Sequence, residues 1–201
     1  MTTADPAPRR ARAPRSDALR NRDKLVEAAR AAFAAAEDES VSLEAIAREA
    51  GVGIGTLYRH FPNREALVEA VYAAELDDVT GCVPALLEEF PPDEALRAWM
   101  GRYAAFVATK HGMADTLRVS QASGRIAVPV TRQRITAAIA PILTRGAEAG
   151  SLRADVEADD VVMMLLGVLL TTTAAGAPGQ ADRLLDLVLD AVRPRTQGRT
   201  A

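Results

Sequence analysis

Apolar residues recur every three or four positions along most of the chain, with charged positions between them. That spacing predicts one helix after another. In residues 17–36, Leu25, Ala29 and Phe33 fall on one stripe, with Val26 alongside. After Ser42, which suits a helix cap, the run LEAIAREA places Ile46, Ala47 and Ala50 on a common face. Gly51 follows where a left-handed residue is wanted, and a short second helix over residues 54–61 is closed by Pro62. Asn63 can cap a longer helix with Leu67, Val71 and Ala74 as its inner stripe.

Beyond this helix, Pro84, Pro91 and Pro92 punctuate residues 81–92, which read as a break. Asp93 is placed to cap a helix carrying Leu96, Trp99 or Met100, Tyr103, Phe106 and Val107 on one broad face, with His111 and Gly112 ending it. A short helix over residues 113–121 and a loop around Gly124 come next. Residues 130–146 are amphipathic through Ile135, Ile139, Ile142 and Leu143, with a kink or break expected at Pro141. A turn follows into a helix capped near Asp159.

Residues 160–175 are apolar nearly all round and should be enclosed on most sides, and their most apolar run, VVMMLLGVLL, is too short to span a bilayer. Residues 181–192 carry two apolar faces, Leu184, Val188 and Ala191 on one and Leu185, Leu189 and Val192 on the other. Two such helices from each of two chains would build a four-helix dimer interface from Val161, Leu165, Leu169, Leu185, Val188, Leu189 and Val192. One larger monomeric core could also absorb both faces.

Composition narrows the function classes. Aromatic residues make up only 4% of the chain, which favours helix over sheet. The single cysteine, Cys82, excludes an internal disulfide and a multi-cysteine zinc site. With two histidines and no glycine-rich phosphate loop, the chain offers no metal site, catalytic triad or cofactor fingerprint. An N-terminus without an apolar signal core points to a cytoplasmic protein. Charge is unevenly spread: 11 Lys/Arg against 9 Asp/Glu up to Arg64, then 13 against 18. A basic front and an acidic rear suit a protein that presents one end to a polyanion. Arg9, Arg10, Arg12 and Arg15 could follow a phosphate backbone or merely solubilise a tail.

The front also carries the motif. Small Ala47, turn Gly51 and apolar Leu57 have the spacing of a helix-turn-helix, in which a small residue permits close crossing and the apolar one plugs it. Thr56, Tyr58, Arg59 and His60 remain on the outer side of the second helix, with hydroxyl, phenol, guanidinium and imidazole groups suited to phosphates and base edges. Arg59 can grip guanine O6 and N7 together. Gly53 and Gly55 leave the helix start bare for close approach, while Ile54 could touch a thymine methyl or pack. Leu57 and Phe61 read as core. The first-turn amides of the next helix, with Arg64 beside them, form a ready phosphate site. The plain alternative is a helical hairpin with an ordinary polar face.

The run GTLYRHFPNREAL, preceded by AIAREAGV and an Arg-rich start, resembles the TetR/AcrR family of bacterial transcriptional regulators. The close match covers residues 21–72. It implies an all-α homodimer of about nine helices, without enzymatic activity. A three-helix helix-turn-helix domain over residues 17–62 would follow an Arg-rich arm at 1–16. A helical ligand-binding and dimerisation domain would cover 63–195, led by a connecting helix at 63–80 and followed by a tail at 196–201. The resemblance further implies a double-stranded DNA operator, contacted through Ser42, Gly53, Ile54, Gly55, Thr56, Tyr58, Arg59, His60 and Arg64. It also implies release by a small-molecule effector. Trp99, Met100, Tyr103, Phe106, Met113, Met163 and Met164 could line a mostly apolar pocket or simply fill the core. A rival reading is a helical small-molecule-binding protein with a non-functional helix-turn-helix. Neither reading involves a membrane.

Overall fold

A computed structural model describes residues 14–36, 41–110, 113–175 and 179–194. Among these residues the secondary structure is helical throughout, in ten helices: α1 Pro14–Ala35, α2 Leu43–Glu49, α3 Ile54–His60, α4 Arg64–Gly81, α5 Val83–Glu89, α6 Pro92–Ala108, α7 Ala114–Ala122, α8 Val128–Glu148, α9 Ala158–Ala175 and α10 Gln180–Val192. The all-α architecture is thus as the periodicity predicts. Arg9, Arg10, Arg12 and His111 lie outside the described residues, as does the tail from 195 onward, and the side chain of Arg15 is likewise not described.

The first three helices pack as one unit. Phe33 of α1, Ile46 and Ala47 of α2, and Leu57 of α3 are buried to within 2% of full enclosure. Local chemistry sets the turn between α2 and α3. Ser42 Oγ accepts the Ala45 amide at 3.1 Å and caps α2. At its other end Gly51 takes φ 66°, its amide donating to Arg48 and that of Val52 to Ala47. This is a Schellman closure, and it satisfies two carbonyls that the helix would otherwise leave open. Asn63 Oδ1 then caps α4 by accepting the Ala66 amide at 2.8 Å.

α4 joins this unit to the rest, packing against α1 on one side and against α6, α7 and α8 on the other. Its inner positions include Leu67, Val68, Val71, Tyr72, Leu76 and Val79, and also a charged residue, Glu75. The core continues through α6 and α8 to α9 and α10.

Three local expectations change. Residues 81–92 are not a plain break: α5 forms within them, because Pro84 sits in its first turn, where a missing N–H costs no helical bond. At α6, Pro91 occupies the cap position and Pro92 starts the helix, so Asp93 lies in the first turn instead of capping it. α8 runs through Pro141 unbroken. Pro141 and Ala137, whose carbonyl loses its helical donor, are both on the exposed face, where water can replace the bond.

Candidate nucleic-acid interface

The outer side of α3 is built by exclusion. Leu57 and Phe61 are fully committed to the core, so Tyr58 and Arg59 must project outward, Tyr58 with 45% of its surface exposed. Ile54 is also exposed, while Thr56 and His60 are half-buried at the edges of the same face. At the start of α3, Gly53 and Gly55 are open: a Cβ on either would meet nothing within 4 Å. Ser42 is exposed beside α2, its oxygen engaged as the cap. Arg48, in the last turn of α2, adds an exposed guanidinium that the sequence reading did not single out.

Arg64 departs from its expected role. Its guanidinium turns inward, donating from Nη1 to the Val41 carbonyl at 2.5 Å and lying 5.1 Å from the centre of the Phe33 ring. Nε and Nη2 are buried without hydrogen-bond partners among the described residues. In this arrangement Arg64 ties the start of α4 to the segment before α2, and its charge is not offered to an outside phosphate.

The expected pocket residues divide. Trp99, Met100, Tyr103, Phe106 and Met113 are at most 3% exposed and packed together. Trp99 stacks on Tyr103 at 5.2 Å and donates its indole N–H to the Val79 carbonyl at 2.9 Å. Burial pushes the Tyr103 phenol up to about 12. Lys110 Nζ lies 4.0 Å from the centre of the Phe106 ring, and burial pulls this amine down to about 8 despite the nearby Glu75. Met163 and Met164 do not join this cluster. They sit on the outer side of α9, because Val161, Val162, Leu165 and Leu169 take its inner side.

The proposed dimer residues need the same correction. Val161, Leu165, Leu169, Leu185, Val188, Leu189 and Val192 are all buried within one protomer. The two faces of α10 are one broad inner face plus Leu184 at its edge, and the residues left outside are Leu187 on α10 with Met163, Met164 and Leu170 on the adjacent α9. α9 is therefore enclosed by α6, α8 and α10 except along this one stripe.

A cleft of about 700 Å³ lies between α1, α4 and α6. Its polar wall centres on Glu75, only 3% exposed, whose Oε2 accepts the Thr109 hydroxyl at 2.6 Å. Arg30 enters from α1, with Nη1 2.6 Å from Asp78 and Nε 3.3 Å from Glu75. Burial pushes the Glu75 carboxyl up, against the opposing pull of Thr109, Arg30 and Lys110. Among the described residues no cluster of histidine, cysteine and carboxylate side chains could hold a metal, and no helix is long and apolar enough to cross a membrane.

Comparison with known proteins assigns both parts of the chain. Residues 25–71 match the family described as bacterial regulatory proteins, tetR family, and residues 91–194 match the C-terminal domain described as transcriptional regulator SbtR-like. An HTH-type transcriptional regulator of Staphylococcus aureus is 41% identical over 63 residues, spanning 31% of this chain and 34% of that relative. The match thus covers about a third of the curated relative's length. The solved structure of a TetR transcriptional regulator from Streptomyces coelicolor is 47% identical, with a TM-score of 0.77 over 87% of this chain and 99% of that one. A TetR transcription regulatory protein from Mycobacterium vanbaalenii is 30% identical, with a TM-score of 0.70 over 90% of this chain and 99% of that one.

Proposed function

The chain belongs to the TetR family of DNA-binding transcriptional regulators, and on that basis we propose that it is a cytoplasmic homodimeric repressor, released from a palindromic operator by a small, mostly apolar ligand. Residues 17–62 act as the DNA-binding head, and residues 63–195 as the ligand-binding and dimerisation body. Arg59 reads a base pair in the major groove, with Tyr58, Thr56 and His60 on the flanking backbone and the bare turn at Gly53 and Gly55 closing on a phosphate. The observation that carries this reading is the outward presentation of Tyr58 and Arg59 on a helix whose other side is locked by Leu57 and Phe61.

Dimerisation uses Met163, Met164, Leu170 and Leu187 in place of the buried set. These four large apolar side chains are exposed on adjacent helices, a grouping that favours coverage by a second copy. Two copies meeting there fix the separation of two α3 helices, which sets the half-site spacing of the operator. The effector acts by its differential affinity for two dimer states, and only that difference shifts the population.

Selection of bound sequences from a random duplex pool, at one fixed salt concentration, tests this function. Enrichment of a palindrome is expected. A folded, dimeric protein that enriches no sequence would overturn it and favour a role confined to the helical body.

A further inference from the structure

The cleft between α1, α4 and α6 has a feature that a passive surface groove lacks. Glu75 is a buried carboxylate on its wall, and Oε2 is satisfied by Thr109. Oε1 is not satisfied in the same way: it has the Arg30 guanidinium at 3.3 Å, but among the described residues it accepts no hydrogen bond. Arg30 commits its short bond to Asp78 instead, at 2.6 Å. Oε1 is not among the side-chain atoms shut away without a partner, so it opens to the cleft, where a carboxylate oxygen can accept from an N–H group. Val79 and Phe106 supply apolar wall beside it, and the volume of about 700 Å³ is in the range of small-molecule sites.

From this arrangement we infer that the cleft binds a small organic cation carrying N–H donors on an apolar body, an amine or amidine that hydrogen-bonds Glu75 Oε1 in place of the Arg30 contact. The positive charge is specified by position, since Arg30 already occupies the space with a guanidinium. The donors are specified by the vacant acceptor, and the apolar body by Phe106 and Val79. Asp77 contributes less, because Arg134 already pairs with it at 2.6 Å. Arg30 belongs to α1, so a cation that takes its place at Glu75 loosens the head from α4. That consequence rests on the DNA-binding function proposed above; the occupancy of the cleft does not.

Cys82, the only cysteine, lines the same cleft and reports on occupancy. The experiment measures alkylation of Cys82 by iodoacetamide in the full chain, with benzamidine as the probe. At ten times its dissociation constant, benzamidine is expected to slow alkylation about tenfold, as exclusive binding requires. Benzyltrimethylammonium, a cation without N–H, and benzyl alcohol, a neutral donor, are expected to leave the rate unchanged. Calorimetric titration of benzamidine into Glu75→Gln, with its helicity checked, is expected to show at least a tenfold loss of affinity. No protection by benzamidine, or equal protection by benzyltrimethylammonium, would overturn the site. Protection without any change in operator affinity would leave the site standing and overturn its coupling to the head. Protection in a protein that enriches no DNA sequence would separate the failure of the regulator function from that of the cleft.

Discussion

The unit formed by α1–α3 and the pair α9–α10 are both backed by buried leucines, yet they turn opposite chemistry outward. Behind α3 lies Leu57, and in front of it stand Tyr58 and Arg59, groups at home in water and able to meet phosphates and bases. Behind α9 and α10 lie Leu165, Leu169, Leu185 and Leu189, and in front stand Met163, Met164, Leu170 and Leu187, with Leu187 61% exposed. An apolar surface of that kind gains free energy when covered, whereas the α3 face, with Ile54 its one exposed aliphatic side chain, gains less from an apolar neighbour. This contrast supports the proposed division of labour, with one end facing a polar polymer and the other a second copy of the chain.

The largest effect is expected from behind the faces. Leu57→Ala should cost about 2–5 kcal/mol of stability, read by urea unfolding, because the site is fully enclosed. Val188→Asp should be at least as severe, since it buries a charge inside one protomer and unfolds it before any interface is tested. Leu187→Asp, one position away but exposed, should leave helicity intact and halve the mass seen in sedimentation. A Leu187→Asp protein that remains dimeric would break the contrast. In front of the head, Arg59→Ala should lower discrimination at one base pair by about 1–3 kcal/mol. If specific and non-specific affinity fell equally, Arg59 would be a phosphate contact. Gly51→Ala should destabilise by about 1–2 kcal/mol, the cost of a left-handed residue with a Cβ at φ 66°.

A pH dependence is confined to the body. Lys110 titrates at about 8 in the folded chain against 10.5 unfolded, so between those values the unfolded chain holds the extra proton and stability rises with pH. Tyr103 has the opposite sign: its folded value of about 12 lies above 10.0, so stability falls again once pH passes about 10. Urea midpoints should therefore climb from pH 8 and turn over near pH 10. Lys110→Met should flatten the climb alone.

The head was readable from the sequence because its determinants are local. Ser42 caps the amide three residues on, Gly51 turns the chain where it stands, and Pro62 stops α3, so no distant residue is needed to place the outer face. Where a distant partner decides, local spacing does not reach. Spacing places Arg64 beside the first-turn amides of α4 as a phosphate contact, whereas Phe33 and Val41, far from it in sequence, hold its guanidinium inward. On α10, helical spacing gives two apolar faces without deciding which meets the chain's own core, and only packing against the neighbouring helices puts Val188 inside and Leu187 outside. Met163 and Met164 are as apolar as their neighbours, so nothing local marks them as outer. Glu75 did leave a signal: a carboxylate among Val71, Tyr72, Leu76 and Val79 interrupts an otherwise apolar inner stripe.

Whether the head reads DNA while the α9–α10 face pairs copies is decided by one set of affinities. Wild type and Leu187→Asp are compared on the selected palindrome and on a single half-site duplex, at the same salt concentration. Wild type should prefer the palindrome strongly, and Leu187→Asp should bind both duplexes with the half-site affinity of wild type. Equal palindrome affinity for the two proteins, or loss of half-site binding in a folded Leu187→Asp, would contradict the account.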